Sequence, residues 1–116
     1  MLNIEKDFEE IKIAMKIDHE DDDGGVKRAF ISAVATVKGA IGRDKSAFYD
    51  QDTDIVELIN TAVIMMANHY YDAASATIES STANGTLREY DLGYTSIISL
   101  LKAEYKVFKE GETNGG

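Results

Sequence analysis

The fold is decided by residues 54–78, which read DIVELINTAVIMMANHYYDAASATI. Their apolar residues recur at steps of three and four, the spacing of one face of an α-helix. One stripe contains Ile55, Ile59, Ala62, Met66, His69 and Ala73, and a neighbouring stripe contains Val56, Val63, Tyr70 and Ala74, widened by Leu58 and Met65. Because this surface covers more than half of the circumference, the helix is predicted to be central and covered from several sides. A chain of 116 residues has few elements for that purpose, so self-association would complete the cover.

Two helices are predicted before the central one. The first is short, has the stripe Ile4, Phe8, Ile11 and Met15, and ends at residues 17–19. The second runs from about Asp23 to Ile41, with Val26, Phe30, Val34, Val37 and Ile41 on one face. Carboxylates at residues 21–23 are placed to cap its first N–H groups, and Gly42 is predicted to end it in a left-handed conformation.

After the central helix, residues 79–85 read ESSTANG and predict a turn, because Asn84-Gly85 suits positive φ angles. Residues 87–93 are predicted to be extended or looped, and the last helix to run from about Tyr94 to Lys109. The predicted fold is therefore an all-α bundle of about four helices, with one long central helix and a loop before the last. Residues 1–109 form its single domain, and the polar, glycine-rich residues 110–116 form a flexible tail.

Composition excludes several classes of protein. The net charge of −9 argues against a protein that grips the DNA backbone, which needs a basic surface. It is compatible with a protein that surrounds DNA without adhering to it. The chain has no cysteine and no apolar run of 18 residues, and residues 1–10 contain four acids against one base. These features predict an intracellular protein with no disulfide, no membrane span and no signal peptide.

The acidic run at residues 18–23 invites a calcium-binding interpretation. An EF-hand loop needs glycine at its sixth position and glutamate at its twelfth. A loop that starts at Asp18 places Asp23 at the sixth position, and one that starts at His19 places Phe30 at the twelfth. Neither register fits, so a solvated helix cap is the favoured interpretation.

Neither His19 nor His69 belongs to a zinc-type spacing, and no phosphate-binding glycine loop or Gly-x-Ser-x-Gly elbow is present. His69 lies on an apolar stripe, where a buried, hydrogen-bonded histidine is favoured over a catalytic base. We therefore predict no catalytic residue, no metal site, no cofactor and no enzymatic activity. A small hydrolase or metal protein that uses His69 is the last-ranked alternative.

The tyrosines are the best candidates for an interface, although a place at the edge of the core is an equally good interpretation. Tyr70 and Tyr71 are adjacent on the central helix and therefore point to different faces. The candidate subunit or partner contacts are Tyr70, Tyr71, Asp72, Arg88, Tyr90, Tyr94 and Lys109.

Four segments occur in a suggestive order. Residues 11–18 read IKIAMKID and lead into the acidic run, residues 30–42 end in Ile-Gly, residues 66–72 read MANHYYD, and residues 94–102 read YTSIISLLK. Over about residues 5–105, this order resembles the tailed-phage head–tail connector (adaptor) proteins. Tyr70 stands where that family commonly has tryptophan, Ala73 and Ala74 replace a polar pair, and the usual proline before the last helix is absent.

The resemblance implies a structural virion protein, made in the host cytoplasm, that forms a ring between portal and tail. The implied ring is a dodecamer on the portal that extends the DNA channel after packaging, and the subunit in isolation can be a monomer. The implied partners are further copies of the chain, the portal protein and a downstream connector, stopper or tail protein, while DNA passes without specific binding. One ring patch is predicted at Tyr71 and Asp72, and the other on the second helix or residues 79–93. The alternative is a generic helical interaction module, monomeric or dimeric, that would not need residues 110–116.

Overall fold

A computed structural model describes residues 1–75 and 80–115, with side chains for residues 1–74 and 93–111. Its helices are α1 (Phe8–Ala14), α2 (Asp23–Ile41), a 3-10 helix (Ser46–Asp50), α3 (Asp54–Ser75) and α4 (Ser80–Gly115). The described residues contain no strand, and the predicted all-α class is confirmed. No helix in this part of the chain is long and apolar enough to cross a membrane.

Helix α2 has the bounds that the sequence predicted, and local signals explain both ends. The Asp22 carboxylate accepts a hydrogen bond of 3.2 Å from the N–H of Gly25 and so caps the first turn. At the other end Gly42 has φ 149° and ψ 147°, a conformation open essentially to glycine alone. This conformation differs from the predicted left-handed helical stop, because the ψ angle of Gly42 is extended and not helical.

Substitution of Gly42 by alanine is expected to lower the free energy of unfolding by more than about 2 kcal/mol. The positive φ accounts for about 1–3 kcal/mol of strain, and the new methyl group would lie 2.4 Å from Cε1 of Tyr105. Urea denaturation followed by circular dichroism measures the change. Gly111→Ala is the control, because that glycine is helical with open space around it, so its replacement is expected to be neutral or stabilising by under about 1 kcal/mol.

The prediction of a turn and an extended stretch before the last helix is wrong for residues 80–93, which belong to α4. No proline interrupts this segment, and Gly85 costs a helix only about 1 kcal/mol. In addition, the spacing of Leu87, Tyr90 and Tyr94 continues the pattern of Ile98 and Leu101 in the same helical register.

The lengths of the last two helices also differ from the prediction. With 36 residues, α4 is longer than the 22-residue α3, which was predicted to be the one long helix of the bundle. Helix α3 is described as far as Ser75; its predicted end at Ile78, and Glu79 of the predicted turn, lie outside the described residues. Helix α4 includes residues 110–115, and the flexibility of residues 110–116 stays a prediction.

The core lies where α2, α3 and α4 pack against one another, with α1 and the 3-10 helix closing its ends. From α2 it takes four of the five predicted stripe residues, while Val34 is half-buried. The fully enclosed part of α3 is smaller than its apolar surface and consists of Ile59, Ala62, Val63 and Ala67. Most other apolar residues of α3 are half-buried, so the subunit alone covers this helix only in part.

Candidate interaction surfaces

Tyr70, on the last turns of α3, points towards α2. Its hydroxyl oxygen lies 2.6 Å from Oγ1 of Thr36, within hydrogen-bond distance. Tyr94 of α4 is close enough for Tyr70 to influence it electrostatically, and burial raises the pKa of Tyr94. The Tyr94 hydroxyl is buried with no hydrogen-bond partner among the described residues. Both tyrosines are half-buried at the edge of the core, so they contribute to packing within the subunit.

Tyr71 extends to the N-terminal end of α2. Burial raises the pKa of Tyr71, and so does its hydrogen bond with the Asp22 carboxylate, the group that caps α2. Tyr71 is half-buried and Asp72 is exposed. The C-terminal part of α3 is therefore hydrogen-bonded to the acidic run at residues 18–23, and Tyr71 and Asp72 lie beside that run.

Arg88 and Tyr90 belong to the part of α4 whose side chains lie outside the description, so only their place on the helix is known. His69, predicted to be buried, is half-buried, with its ring centroid 5.6 Å from that of Tyr70. In the described part of the chain, no three His, Cys, Asp or Glu residues are grouped closely enough to hold a metal ion.

The remaining candidate, Lys109, lies at the opposite end of α2. Its Nζ is 2.9 Å from Oδ2 of Asp44, just beyond the end of that helix. The Tyr105 hydroxyl donates a hydrogen bond to the other carboxylate oxygen of Asp44 and accepts one of 2.9 Å from the N–H of Lys45. These bonds tie α4 to the segment that follows α2.

The hydrogen bonds from Tyr105 and Lys109 lower the pKa of Asp44 from 3.8 to about 2. Since the folded pKa is depressed, this carboxylate contributes stability above pH 4 that is lost as the pH falls from about 4 to about 2. We expect Asp44→Asn to have a lower urea midpoint than the wild type at pH 7, and a smaller loss between pH 4 and pH 2. Asp52→Asn, at an exposed position, is the control; equal slopes for the wild type and Asp44→Asn would contradict the prediction.

A groove of about 550 Å³, called the lysine groove, lies beside the Asp44–Lys109 ion pair. Its floor is formed by Ile41, Gly42 and Tyr105, and its rim by Lys102, Lys106 and Lys109, together with Asp44 and Glu110. Ile41 and Tyr105 are buried, whereas Lys102 and Lys106 are exposed. The groove thus combines an apolar floor with cationic groups that reach into solvent.

Basic residues are concentrated around the groove, at the C-terminal end of α2. Six of the chain's 12 basic residues lie on this end or on the adjoining turns of α4, and together they are called the basic end: Lys38, Arg43, Lys45, Lys102, Lys106 and Lys109. This concentration is unexpected in a chain of net charge −9.

The other end of α2 carries the acidic run and α1. Lys12 is buried there and makes a 2.9 Å ion pair with Asp23, which fixes α1 against the start of α2. Next to it Ile13 is 75% exposed, the highest value among the large hydrophobic side chains of the described residues. The exposed carboxylates of Glu9, Asp18 and Glu20 line the same surface depression as Ile13, together with the exposed Lys16, and the exposed Asp21 follows Glu20 in the chain. These four acidic residues and Ile13 are called the acidic end.

The sequence prediction missed both Ile13 and the lysine groove. Ile13 lies between Ile11 and Met15 of the α1 stripe but on another face, so its exposure is visible in the sequence as an apolar residue out of register. Lys102, Lys106 and Lys109 show helical spacing that would have placed them on one face. Their position beside Gly42 and Asp44 needed the tertiary structure.

Comparison with known proteins adds one match. Residues 5–102 match the family model described as phage gp6-like head-tail connector protein, which covers most of the 116-residue chain. No curated protein and no solved structure matches the chain. The chain therefore belongs to the phage gp6-like head–tail connector protein family and is a structural connector of the phage particle.

Proposed function

We propose that the chain forms a ring at the head–tail junction, a dodecamer on the portal, that extends the DNA channel after packaging. The match to the connector family over residues 5–102 carries this proposal. The ring assembles in the host cytoplasm on the portal and offers its far side to the next connector, stopper or tail protein.

Partial burial of α3 supports association between copies. Ile59, Ala62, Val63 and Ala67 are enclosed, but most of the remaining apolar surface of α3 is only half-buried within one subunit. Apolar surface left in contact with water favours association by about 25 cal/mol for each Å² that a neighbour covers. A ring supplies two neighbours to every subunit.

The net charge of the subunit supports the proposed role in a DNA channel. With a net charge of −9, the subunit has an acidic balance that repels the DNA backbone, so DNA slides past without specific binding. Residues 110–116 are polar and glycine-rich, and we propose that this tail becomes ordered against the portal.

The candidate contacts fit the interface of a closed ring, in which two different patches of one subunit meet. Tyr71 and Asp72 lie at one end of α2 and Lys109 at the other. Tyr70 and Tyr94 lie half-buried at the edge of the core, and Arg88 and Tyr90 lie earlier on α4; we propose that these four residues complete the contact set.

Mass measurement under native conditions tests the ring. Light scattering of the chain mixed with its portal protein is expected to show a complex that contains about 154 kDa of this chain, twelve times 12.8 kDa. The chain alone can remain a monomer of 12.8 kDa. A strict monomer that never joins the portal overturns the proposal and favours a generic helical module instead.

A matched pair of variants tests the contact set. Asp72→Lys reverses one exposed charge at the proposed contact, and Asp52→Lys makes the same change away from it. We expect Asp72→Lys to reduce the fraction of assembled subunits at least tenfold, and Asp52→Lys to leave it within twofold. Equal behaviour of the two variants removes Asp72 from the proposed interface.

A further inference from the structure

We propose that the lysine groove of one subunit receives the acidic end of a neighbouring copy, with Ile13 on the apolar floor. The inference rests on the proposed ring and specifies its two contacting patches. It extends the first patch, Tyr71 and Asp72, to the neighbouring acidic end. It takes the lysine groove as the second patch, in place of the second helix or residues 79–93.

The two surfaces are complementary in shape and polarity. The groove is concave, with Ile41 and Tyr105 beneath it and Lys102 and Lys106 at its exposed rim. The acidic end offers an aliphatic side chain that is 75% exposed, beside three carboxylates and one exposed lysine, Lys16. An apolar centre with a charged rim is the usual arrangement of a specific protein interface.

The distance between the two surfaces along α2 allows them to meet only between subunits. The acidic end is fixed to the start of α2 by the Lys12–Asp23 ion pair, and the groove is fixed to its end by the Asp44–Lys109 ion pair. Helix α2 has 19 residues, so at 1.5 Å per residue these points are about 27 Å apart along a rigid rod. Within one subunit the surfaces cannot touch, but a head-to-tail arrangement of copies brings them together.

Charge selects this orientation among the possible ones. Copies of a chain with net charge −9 repel one another unless surfaces of opposite sign are aligned. The basic end gathers half of the basic residues, and the acidic end shows four exposed carboxylates. Head-to-tail contact is therefore attractive, whereas contact between two acidic ends is repulsive.

Charge reversal with rescue tests the contact. Lys102→Glu/Lys106→Glu is expected to lower the assembled fraction on the portal at least tenfold, and Glu20→Lys/Asp21→Lys is expected to do the same. All four positions are exposed, so circular dichroism and the thermal midpoint should show that both variants remain folded. The chain with all four substitutions restores opposite charges across the contact and is expected to recover assembly to within threefold of the wild type.

Two further measurements separate this contact from a general effect of charge. Lys6→Glu/Lys27→Glu changes the net charge by the same −4 at exposed positions beside the acidic end and not in the groove, so it is expected to assemble at least as well as the wild type to within twofold. Raising NaCl from 0.05 to 0.5 M is expected to weaken wild-type assembly, because the Debye length falls below about 5 Å.

The outcomes distinguish the two proposals. If the wild-type chain never forms a ring, the proposed function fails. If the ring forms but the Lys102→Glu/Lys106→Glu variant assembles normally, only the groove contact is overturned. It is also overturned if the fourfold variant stays unassembled, because the lysines then serve another partner, such as an acidic portal segment or DNA.

Discussion

Replacement of Phe48 by alanine is expected to lower the free energy of unfolding by about 3–5 kcal/mol, the usual cost of deleting a buried aromatic ring. Phe48 is 1% exposed and lies in the 3-10 helix between α2 and α3. Its ring meets those of Tyr49, Tyr105 and Phe108 edge-on, with centroids 5.3, 5.0 and 5.6 Å away. Deletion leaves a cavity beneath the lysine groove, and urea denaturation at pH 7 measures the loss.

The Phe48→Leu variant separates the effect of lost side-chain volume on stability from the effect of lost aromatic contacts. Leucine refills most of the space, so we expect a cost of about 1–2 kcal/mol, of which the lost edge-to-face contacts account for about half or more. A cost below about 1 kcal/mol for Phe48→Ala would show that the cluster does not hold the 3-10 helix against α4. Assembly assays should use Phe48→Leu, since Phe48→Ala disturbs the groove through the fold itself.

The sequence predicted helix α2 accurately because its signals are local. Asp22 caps the first turn with its own side chain, and Gly42 takes a backbone conformation that other residues avoid. Between them the stripe of Val26, Phe30, Val37 and Ile41 is buried as its spacing predicted. Each signal acts within a few residues, so no knowledge of the rest of the chain was needed.

The 3-10 helix and its aromatic cluster were not predicted, since five residues are too few to show a period. Tyr105 is buried on the last helix, and its partner Asp44 is 61 positions away. Nothing in the sequence links these two residues. The corner that forms the lysine groove is therefore a product of tertiary structure.

The start of α4 was predicted wrongly because one local signal was given too much weight. Asn84-Gly85 favours a turn, yet residues 80–93 are helical and continue the apolar spacing of the last helix. The candidate interface residues were chosen by residue type, and their part in an interface stays a prediction. Tyr70 bonds to Thr36 within the subunit, whereas Ile13, which composition did not single out, is the most exposed large hydrophobic residue described.

Adjacent leucines on α4 provide the sharpest test of the core. Leu101 is fully buried, while Leu100, one position before it, is 47% exposed. Leu101→Ala is expected to cost about 2–5 kcal/mol through lost burial and the cavity left behind, and Leu100→Ala under about 1 kcal/mol. Both changes remove the same atoms from the same helix, so helix propensity cancels and only burial differs.

A domain of this size is typically stable by about 5–15 kcal/mol, so Leu101→Ala removes a large share of the total and should lower the thermal midpoint by several degrees. Differential scanning calorimetry of the two variants measures the contrast directly. Similar thermal midpoints for the two variants would mean that Leu101 is not buried between α2 and α3. In that event the lysine groove, whose rim and part of whose floor come from the same helix, would lose its structural basis as well.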